Sequence, residues 1–537
     1  MTKKPRNEEL GDFTATLRMA PIAALAAAIG LLASVVAWVL LRLIAFFTNL
    51  FYFQHFSAAN ANPAANTLGY WSILVPVVGA VIIGFMARFG SERIRGHGIP
   101  EAVESILMNG SRVEPRVAIL KPISSAISIG SGGPFGAEGP IIMTGGAFGS
   151  MIAQLFRLTS AERKTLLAAG AAAGMSATFA APVSAVLLAV ELLLFEWKPR
   201  SLIPVAVSSA AAGMARHWML GAGPIFPVVQ QPDFAGPFAL LGCLLAGFLA
   251  GLAATVLTMA VYSAEDAFEH LPVHWMWWPA IGGVVVGAGG LIFPQALGVG
   301  YSTIGDILAG RTTLALIAGV LIVKSIIWSV SLGSGTSGGV LAPLLMIGGA
   351  LGSIEALFFP AEPIGFWAIV SMGAMIAGAM RAPMAAVIFA VELTHSMNML
   401  LPLLVTCAVA YSVSVLLMKR SILTEKIARR GLHLSQEYAV DPLELLFVRE
   451  VMRDEDAALA PALDVTAFPD EPLRAVVYRM AESGRTTIAV VSRGEPRTVM
   501  GALTLQAMLQ ARTRHMEEER EKERVLRLPL PFARNEA

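Results

Sequence analysis

Charged side chains are scarce in this chain of 537 residues: Asp, Glu, Lys and Arg make up 14% of it, against 55% hydrophobic residues. A soluble globular domain has about 25% charged residues, so this composition excludes a water-soluble fold for most of the chain. The formal net charge of +1 at pH 7 provides no bulk basic surface for nucleic acid. Only two cysteines occur, Cys243 and Cys407, and both lie in apolar segments where we interpret them as core packing.

Common catalytic and metal-binding motifs are also missing. The sequence contains no HExxH, GK[ST] or CxxC pattern. The glycine-rich run that starts at Gly130 looks superficially like a nucleotide loop, but it has no lysine and follows no soluble strand. Because no nucleophile–base pair is visible either, an enzyme is the least favoured class, and we expect neither a cofactor nor a metal.

Long apolar runs are what the chain has in abundance. Clear examples are Ala20–Phe47, Leu166–Phe195 and Phe366–Leu393. About 20 apolar residues cross a bilayer, and shorter or broken runs are expected where a helix stops midway and turns back. The sequence therefore predicts an all-α, multi-pass protein of the lipid bilayer, built from tilted and re-entrant helices.

Basic residues indicate the orientation in the bilayer. They cluster at the positions 3–6, 88–95, 157–164, 198–200 and 419–430. Since cytoplasmic loops carry an excess of Lys and Arg, we expect both termini to be cytoplasmic. The polar first residues run into a long apolar span and do not form a secretory signal.

The hydrophobic part of the chain is repeated. Aligning residues 130–156 with residues 333–359, at an offset of 203, gives 13 identities in 27 positions. Residues 181–192 match residues 382–393 at 8 of 12 positions, and Lys121 falls on Lys324. Such repeats, with matching glycine and proline breaks, are typical of membrane transport proteins whose halves are inverted copies.

Composition divides the chain into five parts. We expect a polar arm (1–19), a membrane domain (20–432) with repeat halves at about 20–225 and 235–432, a linker (433–446), a small α/β module (447–512) and a charged tail (513–537). In the module, a helix is predicted to end at Gly484 and to be followed by a buried strand, then a second strand and helix.

Three glycine-containing loops each lead into a helix that begins near a proline, namely Pro100, Pro140 or Pro343. Proline suits the first helical position, and glycine lets the backbone approach a ligand closely. Helix starts expose unpaired N–H groups and a partial positive charge, so several of them aimed at one point form an anion site. The alternative is that the loops are only tight turns between packed helices.

Glu138 lies within the second of these loops, and its repeat mate is Leu341. The shared architecture therefore does not need the carboxylate, and an ionisable group at intramembrane depth points to function. An ionised Glu138 would occupy the anion site and a protonated one would swing away, which makes it a candidate gate or proton carrier. The alternative is a neutral structural acid.

Two other pairs of polar residues recur in both halves. Glu191 and Glu392 share the context AVEL, and their retention in both copies predicts a structural role such as capping a helix end. Lys121 and Lys324 lie in apolar sequence. They are expected either to raise the electrostatic potential for an anion or to snorkel to the interface.

At these residues the chain resembles the CLC family of chloride channels and proton-coupled chloride transporters. The motifs GHGIPE, GAEGP and GGVLAP, at the positions 96–101, 136–140 and 338–343, are similar to the family's GSGIPE, GREGP and GGIFAP. The resemblance covers residues 20–432. It implies a homodimer with one pore per subunit, and the tail resembles a cystathionine-β-synthase (CBS) module.

The resemblance assigns roles by position. Glu138 matches the gating glutamate, His97 falls on a chloride-binding serine, and Lys121 matches a recurring lysine that gives electrostatic support. The backbone N–H groups of Val340 and Leu341 match those that bind the central chloride. The other helix-start residues expected to bind the anion are Gly98, Ile99 and Gly139.

Several positions depart from the family pattern. The residue at position 97 is histidine, whose imidazole can donate a hydrogen bond or carry charge. Leu423 lies where a tyrosine is expected, Leu192 where proton-coupled members often have a second glutamate, and Ala137 where GREGP has arginine. The tail has room for one CBS-like module rather than two.

The leading prediction is voltage- or pH-gated chloride transport through a pore gated by Glu138, as a channel or as a chloride/proton antiporter. A fluoride or nitrate transporter on the same scaffold is the second possibility. A third is a membrane sensor with a vestigial pore, whose CBS-like module binds an adenine nucleotide. The expected location is the bacterial inner membrane.

Overall fold

A computed structural model describes residues 17–108, 110–228, 235–431, 443, 446–453, 465–494 and 498–518. The chain divides into two compact units, one within residues 13–436 and one from Glu437 onwards. Most of the predicted polar arm, nearly all of the linker and most of the charged tail lie outside the described residues.

The first unit is built of helices that follow the apolar runs of the sequence. Its first half contains α1 (Met19–Thr48), α2 (Leu74–Phe89), α3 (Ile99–Met108), α4 (Pro115–Gly130), α5 (Glu138–Gln154), α6 (Ser160–Phe179), α7 (Pro182–Ala189) and α8 (Pro199–Met219). Short 3-10 or π turns lie at Asn49–Phe53, Pro63–Ala65, Gly69–Ile73, Glu92–Ile94 and Val190–Leu194.

The second half repeats this plan. It contains α9 (Pro237–Glu269), α10 (Trp278–Ile292), α11 (Tyr301–Leu308), α12 (Leu314–Gly319), α13 (Ser325–Gly333), α14 (Leu341–Glu355), α15 (Phe366–Met380), α16 (Pro383–Thr394), α17 (Leu400–Leu417) and α18 (Ile422–Arg429). Its short turns lie at Trp275–Trp277, Pro294–Ala296, Val320–Lys324 and Met397–Met399.

Two of the long apolar runs are each divided by a turn. The run 166–195 breaks after α6 at Ala180, and the run 366–393 breaks after α15 at Arg381. Both residues have a left-handed backbone, with φ of 56° and 57°, and a proline begins the next helix two residues later. The residue before proline disfavours helical geometry, so each run forms two shorter helices.

Six helical stretches in the described part of the chain are long and apolar enough to cross a membrane. They are Met19–Phe53, Gly69–Phe89, Pro237–Glu269, Trp275–Ile292, Leu314–Gly333 and Met397–Arg429. Shorter apolar helices, such as Leu341–Glu355 and Phe366–Met380, lie between them. The combination of long and short helices agrees with the predicted fold class.

Glycines bring neighbouring helices into main-chain contact. A Cβ atom on Gly145 of α5 would lie 2.3 Å from the carbonyl oxygen of Gly170 of α6. In the second half, a Cβ on Gly352 of α14 would lie 2.1 Å from the carbonyl oxygen of Trp367 of α15. Close packing through small residues is how helices associate where water is absent, and here it fixes α5 and α14 rigidly.

Glu191 and Glu392 link the two halves reciprocally. The Glu392 carboxylate accepts the backbone N–H groups of Val183 (2.9 Å) and Ser184 (2.8 Å), in the first turn of α7. Glu191 accepts those of Met384 (3.2 Å) and Ala385 (2.9 Å), in the first turn of α16. Each glutamate thus caps a helix of the other repeat, where N–H groups have no intrahelical partner.

The second unit contains a small sheet with helices. Its elements are β1 (Thr466–Ala467), β2 (Thr487–Val491), β3 (Val499–Thr504), α19 (Val448–Val451), α20 (Leu473–Ser483) and α21 (Leu505–Glu518). Strand β2 is central, parallel to β1 and antiparallel to β3. Helix α20 ends at Gly484 as predicted, because its φ of 67° suits glycine.

An ion pair ties a surface loop of this unit to the end of β2. The Nε of Arg493 donates to both oxygens of Asp470, at 2.9 and 3.0 Å. This hydrogen bond holds the pKa of the Asp470 carboxyl below its usual value. Both side chains are exposed, so the pair contributes little to stability.

The reciprocal caps make a stability prediction. Glu392→Ala removes the acceptor of two N–H groups at the start of α7, so the free energy of unfolding should fall by about 1–2 kcal/mol. Glu191→Ala should have a similar effect on α16. Thermal denaturation in detergent measures this, with Glu269→Ala, whose side chain is exposed, as the control. An unchanged melting temperature for both variants would contradict a capping role.

Candidate functional site

The loops before α5 and α14 pair with each other at the centre of the membrane unit. The Gly136 N–H donates to the Gly339 carbonyl (3.2 Å), and the Gly339 N–H donates to the Gly136 carbonyl (2.9 Å). These glycines lie two residues before Glu138 and Leu341, which begin the two helices. The starts of α5 and α14, one from each repeat, therefore lie side by side.

The loop before α3 meets the same point. Gly98 has a φ of 91°, and a Cβ atom there would lie 2.5 Å from the carbonyl oxygen of Gly139. A Cβ on Gly139 would lie 1.9 Å from the carbonyl oxygen of His97 and 3.1 Å from the Cα of Gly339. The three predicted loops thus converge through bare main chain, at distances that only glycine permits.

The N–H groups at the three helix starts are used differently. The N-cap residues of α5 and α14, Ala137 and Val340, make no side-chain cap, so the first N–H groups of both helices are left for a ligand or for Glu138. In α3, Glu101 accepts the N–H of Gly98 at 2.8 Å. The N–H of Gly98 is therefore occupied in this structure, and Gly98 contributes its left-handed conformation instead.

The Glu138 side chain folds back over these helix starts. It is fully buried, and its Oε1 accepts the N–H of Ala342 in the first turn of α14. The N–H groups of Leu341 and of Glu138 itself also act on the carboxylate. A Cβ on Gly136 would lie 1.9 Å from Oε2, so a larger residue at this position would push the carboxylate from its place. The carboxylate occupies the place that unpaired helix N–H groups prepare for an anion.

The main chain of His97 lies against that of Gly139. It is 2% exposed, and its Nδ1 has no hydrogen-bond partner within the described ranges. Glu101, Lys121 and Lys426 are all close enough to act on it electrostatically. A buried ring nitrogen without a partner can serve a ligand, either as donor or as acceptor according to its tautomer.

Lys121 and Lys324 do not snorkel, which corrects one of the two expectations for them. Both are fully buried. The Lys121 Nζ donates to the carbonyls of Ile94 (2.8 Å) and Gly96 (2.7 Å), and the Lys324 Nζ to those of Ala296 (2.9 Å) and Gly298 (2.7 Å). Each ammonium group therefore holds the loop that leads into α3 or α11.

A vestibule of about 670 Å³ leads to the His97 side of the site. Side chains of both charges line it, including Arg95, Glu101, Glu265, Lys426 and Arg430. The Arg95 guanidinium lies 4.6 Å from the ring centre of Trp275. A Cβ on Gly96 would lie 3.0 Å from the Lys426 Nζ, so the vestibule reaches the loop that carries His97.

The positions that depart from the family pattern are buried. Leu192, Leu423 and Ala137 are each at most 2% exposed. Leu423 lies in the first turn of α18. Beside it, the hydroxyl of Tyr262 on α9 donates to the Ile422 carbonyl at 2.5 Å, so this tyrosine is already hydrogen-bonded.

Sequence reasoning missed several contributors. Glu101 was visible in the GHGIPE motif, and its position three residues after Gly98 is the spacing of a helix-capping glutamate. The Ala342 N–H follows from the helix start, since all of the first N–H groups are unpaired. Ser337 fits a GxSxG pattern, but its hydroxyl bonds those of Ser125 (2.8 Å) and Ser124 (3.3 Å) rather than a base.

Sequence comparison identifies relatives of the membrane unit. The family model described as voltage gated chloride channel matches residues 78–415. The H(+)/Cl(-) exchange transporter ClcA of Salmonella paratyphi B is 32% identical over 61% of this chain and 72% of its own length. A protein of Ralstonia nicotianae described as ClcB-like is 29% identical over 65% of this chain and 83% of its own length.

Solved structures share the fold. A slow cyanobacterial Cl-/H+ antiporter superposes with a TM-score of 0.68 and 23% identity, over 76% of this chain and 97% of its own. A CLC-type fluoride/proton antiporter superposes with a TM-score of 0.64 and 20% identity, over 75% of this chain and 97% of its own. A eukaryotic CLC transporter superposes with a TM-score of 0.64 and 19% identity, over 93% of this chain and 89% of its own.

The crowded contact at Gly98 allows a test of the site. Gly98→Ala would put a Cβ into the Gly139 carbonyl oxygen and strain a left-handed residue, so the α3 loop should move away from the start of α5. The affinity for a small anion such as chloride should fall by roughly ten-fold, because strain at such a position costs about 1–3 kcal/mol. Calorimetric titration measures this affinity. Gly305→Ala is the control, because a Cβ there meets nothing within 4 Å. Equal affinities for the two variants would contradict the assignment of the α3 loop and the start of α5 to one anion site.

Proposed function

Because the chain belongs to the voltage-gated chloride channel family, a family of multi-pass membrane proteins, we propose that it carries chloride across a membrane through a pathway that Glu138 opens and closes. One observation supports this most directly. The Glu138 carboxylate, itself an anion, rests on the unpaired N–H groups where α5 and α14 begin. A chloride ion of similar charge would use the same N–H groups.

Competition between Glu138 and chloride would provide the gate. An ionised carboxylate stays at the helix starts and excludes chloride from them. Protonation removes its charge and weakens its hold on the N–H groups, so it moves aside. Chloride then takes the N–H groups of Val340, Leu341 and Ala342, which sit in a dry pocket where dipoles act strongly.

The inner side of the pathway would run through the vestibule. Lys426 and Arg430 favour an anion there, although Glu101 and Glu265 limit the attraction. His97 then stands between the vestibule and the helix starts, where its imidazole would donate a hydrogen bond to the passing ion.

Channel and antiporter activities differ in what protons do. Leu192 is buried where proton-coupled relatives often have a glutamate, which favours a channel or a loosely coupled exchanger. Glu265, 3.9 Å from Lys426 in the vestibule, would be an alternative carboxylate for protons from the cytoplasm. Proton uptake driven by a chloride gradient into liposomes distinguishes the two activities, since a channel gives none.

The protein is proposed to act as a homodimer with one pathway per subunit in the bacterial inner membrane. Both termini would be cytoplasmic, in agreement with the basic clusters that include Arg157–Lys164 and Lys419–Arg430. Voltage or pH would control opening through the Glu138 carboxyl.

Glu138→Gln tests the gate. The amide cannot ionise, so chloride flux in liposomes should become independent of pH, and any proton coupling should be lost. Wild-type flux should rise as the pH falls. Glu355→Gln is a matched control, because Glu355 is also a buried carboxylate and its partner is the Ser371 hydroxyl on α15. A Glu138→Gln protein with the pH profile of the wild type would reject this gate.

His97 favours a second candidate, a fluoride or nitrate transporter, because it replaces the family's chloride-binding serine. Under the chloride proposal, His97→Ser should raise the preference for chloride over nitrate by roughly ten-fold, about 1.4 kcal/mol. Anion-competition fluxes measure the preference, and His217→Ser on the exposed end of α8 is the control. Wild-type flux that fluoride or nitrate inhibits more strongly than chloride would favour the second candidate.

The CBS-like unit leaves a third candidate, a sensor that binds an adenine nucleotide and has a vestigial pore. The buried, ligand-like position of Glu138 argues for a working pathway. Nucleotide binding by the full chain, together with the absence of any anion flux, would favour the sensor.

A further inference from the structure

The loops before α3 and α11 are equivalent in the two repeats but have different neighbours. Lys121 holds the loop before α3, and Lys324 holds the loop before α11. The glycine pair Gly96–Gly98 matches Gly298–Gly300 at an offset of 202, which places Tyr301 on Ile99. Because the halves are inverted copies, the first loop approaches the anion site from the vestibule side, and the second should approach it from the opposite side.

Tyr301, the first residue of α11, is fixed by its surroundings. Its ring makes edge contacts with Phe179 (6.3 Å between ring centres) and Phe226 (6.1 Å). A Cβ on the preceding Gly300 would lie 2.9 Å from the sulfur of Met346, on the helix α14 that Glu138 contacts. The aromatic ring therefore has little freedom to turn its hydroxyl elsewhere.

The Tyr301 hydroxyl is buried and has no hydrogen-bond partner among the described residues. The same is true of Oε2 of Glu138. The Glu138 carboxylate acts electrostatically on both Tyr301 and Lys324, so these groups share one neighbourhood. Buried polar atoms nearly always have partners, and two unpaired ones near each other indicate that a second arrangement of the side chains pairs them.

We propose that the Tyr301 hydroxyl is the partner of the Glu138 carboxyl after that carboxyl leaves the helix starts. This proposal rests on the proposed function, and it assigns the position that the Glu138 carboxyl takes when the pathway is open. In the closed arrangement Glu138 accepts the Ala342 N–H. In the open arrangement the protonated carboxyl donates to, or accepts from, the Tyr301 hydroxyl, and chloride takes the vacated N–H groups. Tyr301 is thus a positioning residue for the gate.

The other charged groups around Glu138 are accounted for. Lys324 faces it from the turn before α13 but is held by two carbonyls. Glu101 and Lys121 belong to the vestibule side, where they act on His97. Glu355 lies at the far end of α14. Glu355 also has an unpaired oxygen, Oε1, but it lies at the opposite end of α14 from the Ala342 N–H that Glu138 contacts, so Tyr301 is the group of this set that offers Glu138 an unused hydrogen-bonding atom.

Tyr301→Phe removes only the hydroxyl and keeps the ring contacts with Phe179 and Phe226. Losing one hydrogen bond to the displaced carboxyl should shift the gate towards the closed arrangement by about five-fold. Since the bond favours the protonated, displaced Glu138, its loss should lower the pH at which flux is half-maximal by roughly 0.7 unit. Chloride flux into liposomes across a pH series measures both effects.

Tyr52→Phe is the matched control. Tyr52 is also buried, but its hydroxyl donates to the Ser131 carbonyl at 3.1 Å. Its loss should lower the melting temperature and leave the pH midpoint unchanged. Tyr301→Phe should do the reverse, because removing an unpaired buried hydroxyl does not destabilise the fold. A melting temperature that falls without a shift of the midpoint would overturn the proposal and make Tyr301 structural only.

Glu138→Ala separates failure of this inference from failure of the gate itself. If Glu138 is the gate, Glu138→Ala alone opens the pathway, and adding Tyr301→Phe should then change flux less than two-fold. An equally large effect of Tyr301→Phe with and without Glu138 would show that the hydroxyl acts on the anion directly, which overturns the proposal. Flux that Glu138→Ala leaves unchanged would reject the gate, and with it the partner.

Discussion

The unpaired N–H groups at two neighbouring helix starts are the constraint on which the structure depends. Helices α5 and α14 begin where Gly136 and Gly339 bond to each other, deep in the membrane unit and away from water. Backbone groups left unsatisfied there cost several kcal/mol each. A hydrogen-bond acceptor must therefore occupy the place, and in this structure it is the Glu138 carboxylate.

The surrounding fold holds those helix starts at a fixed separation. Glycine contacts between α5 and α6 and between α14 and α15 leave little freedom for sliding. The buried lysines do the same for the adjoining loops, since each ammonium group bonds two main-chain carbonyls. These two buried ammonium groups thus act on the backbone, whose dipoles in turn act on the Glu138 carboxylate.

Much of this arrangement could be predicted from the sequence because each repeat can be compared with the other. Matched glycines and prolines predicted the paired loops, and the absence of a second copy of Glu138 marked it as functional. The partners of Glu138 could not be found in this way. Ala342 contributes an N–H that every residue has, and Tyr301 becomes its neighbour only through the packing of α11 against α14. Breaks at Ala180 and Arg381 were hidden within continuous apolar runs.

The crossed glutamate caps impose an order on biosynthesis. Val183 lies 209 residues before Glu392, the residue that accepts its N–H. At a synthesis rate of about 5–20 residues per second, α7 exists for roughly 10–40 s before its cap emerges from the ribosome. During that interval the first half has a helix start with no acceptor inside the membrane. Completion of the membrane unit must therefore wait until nearly the whole of it has been made.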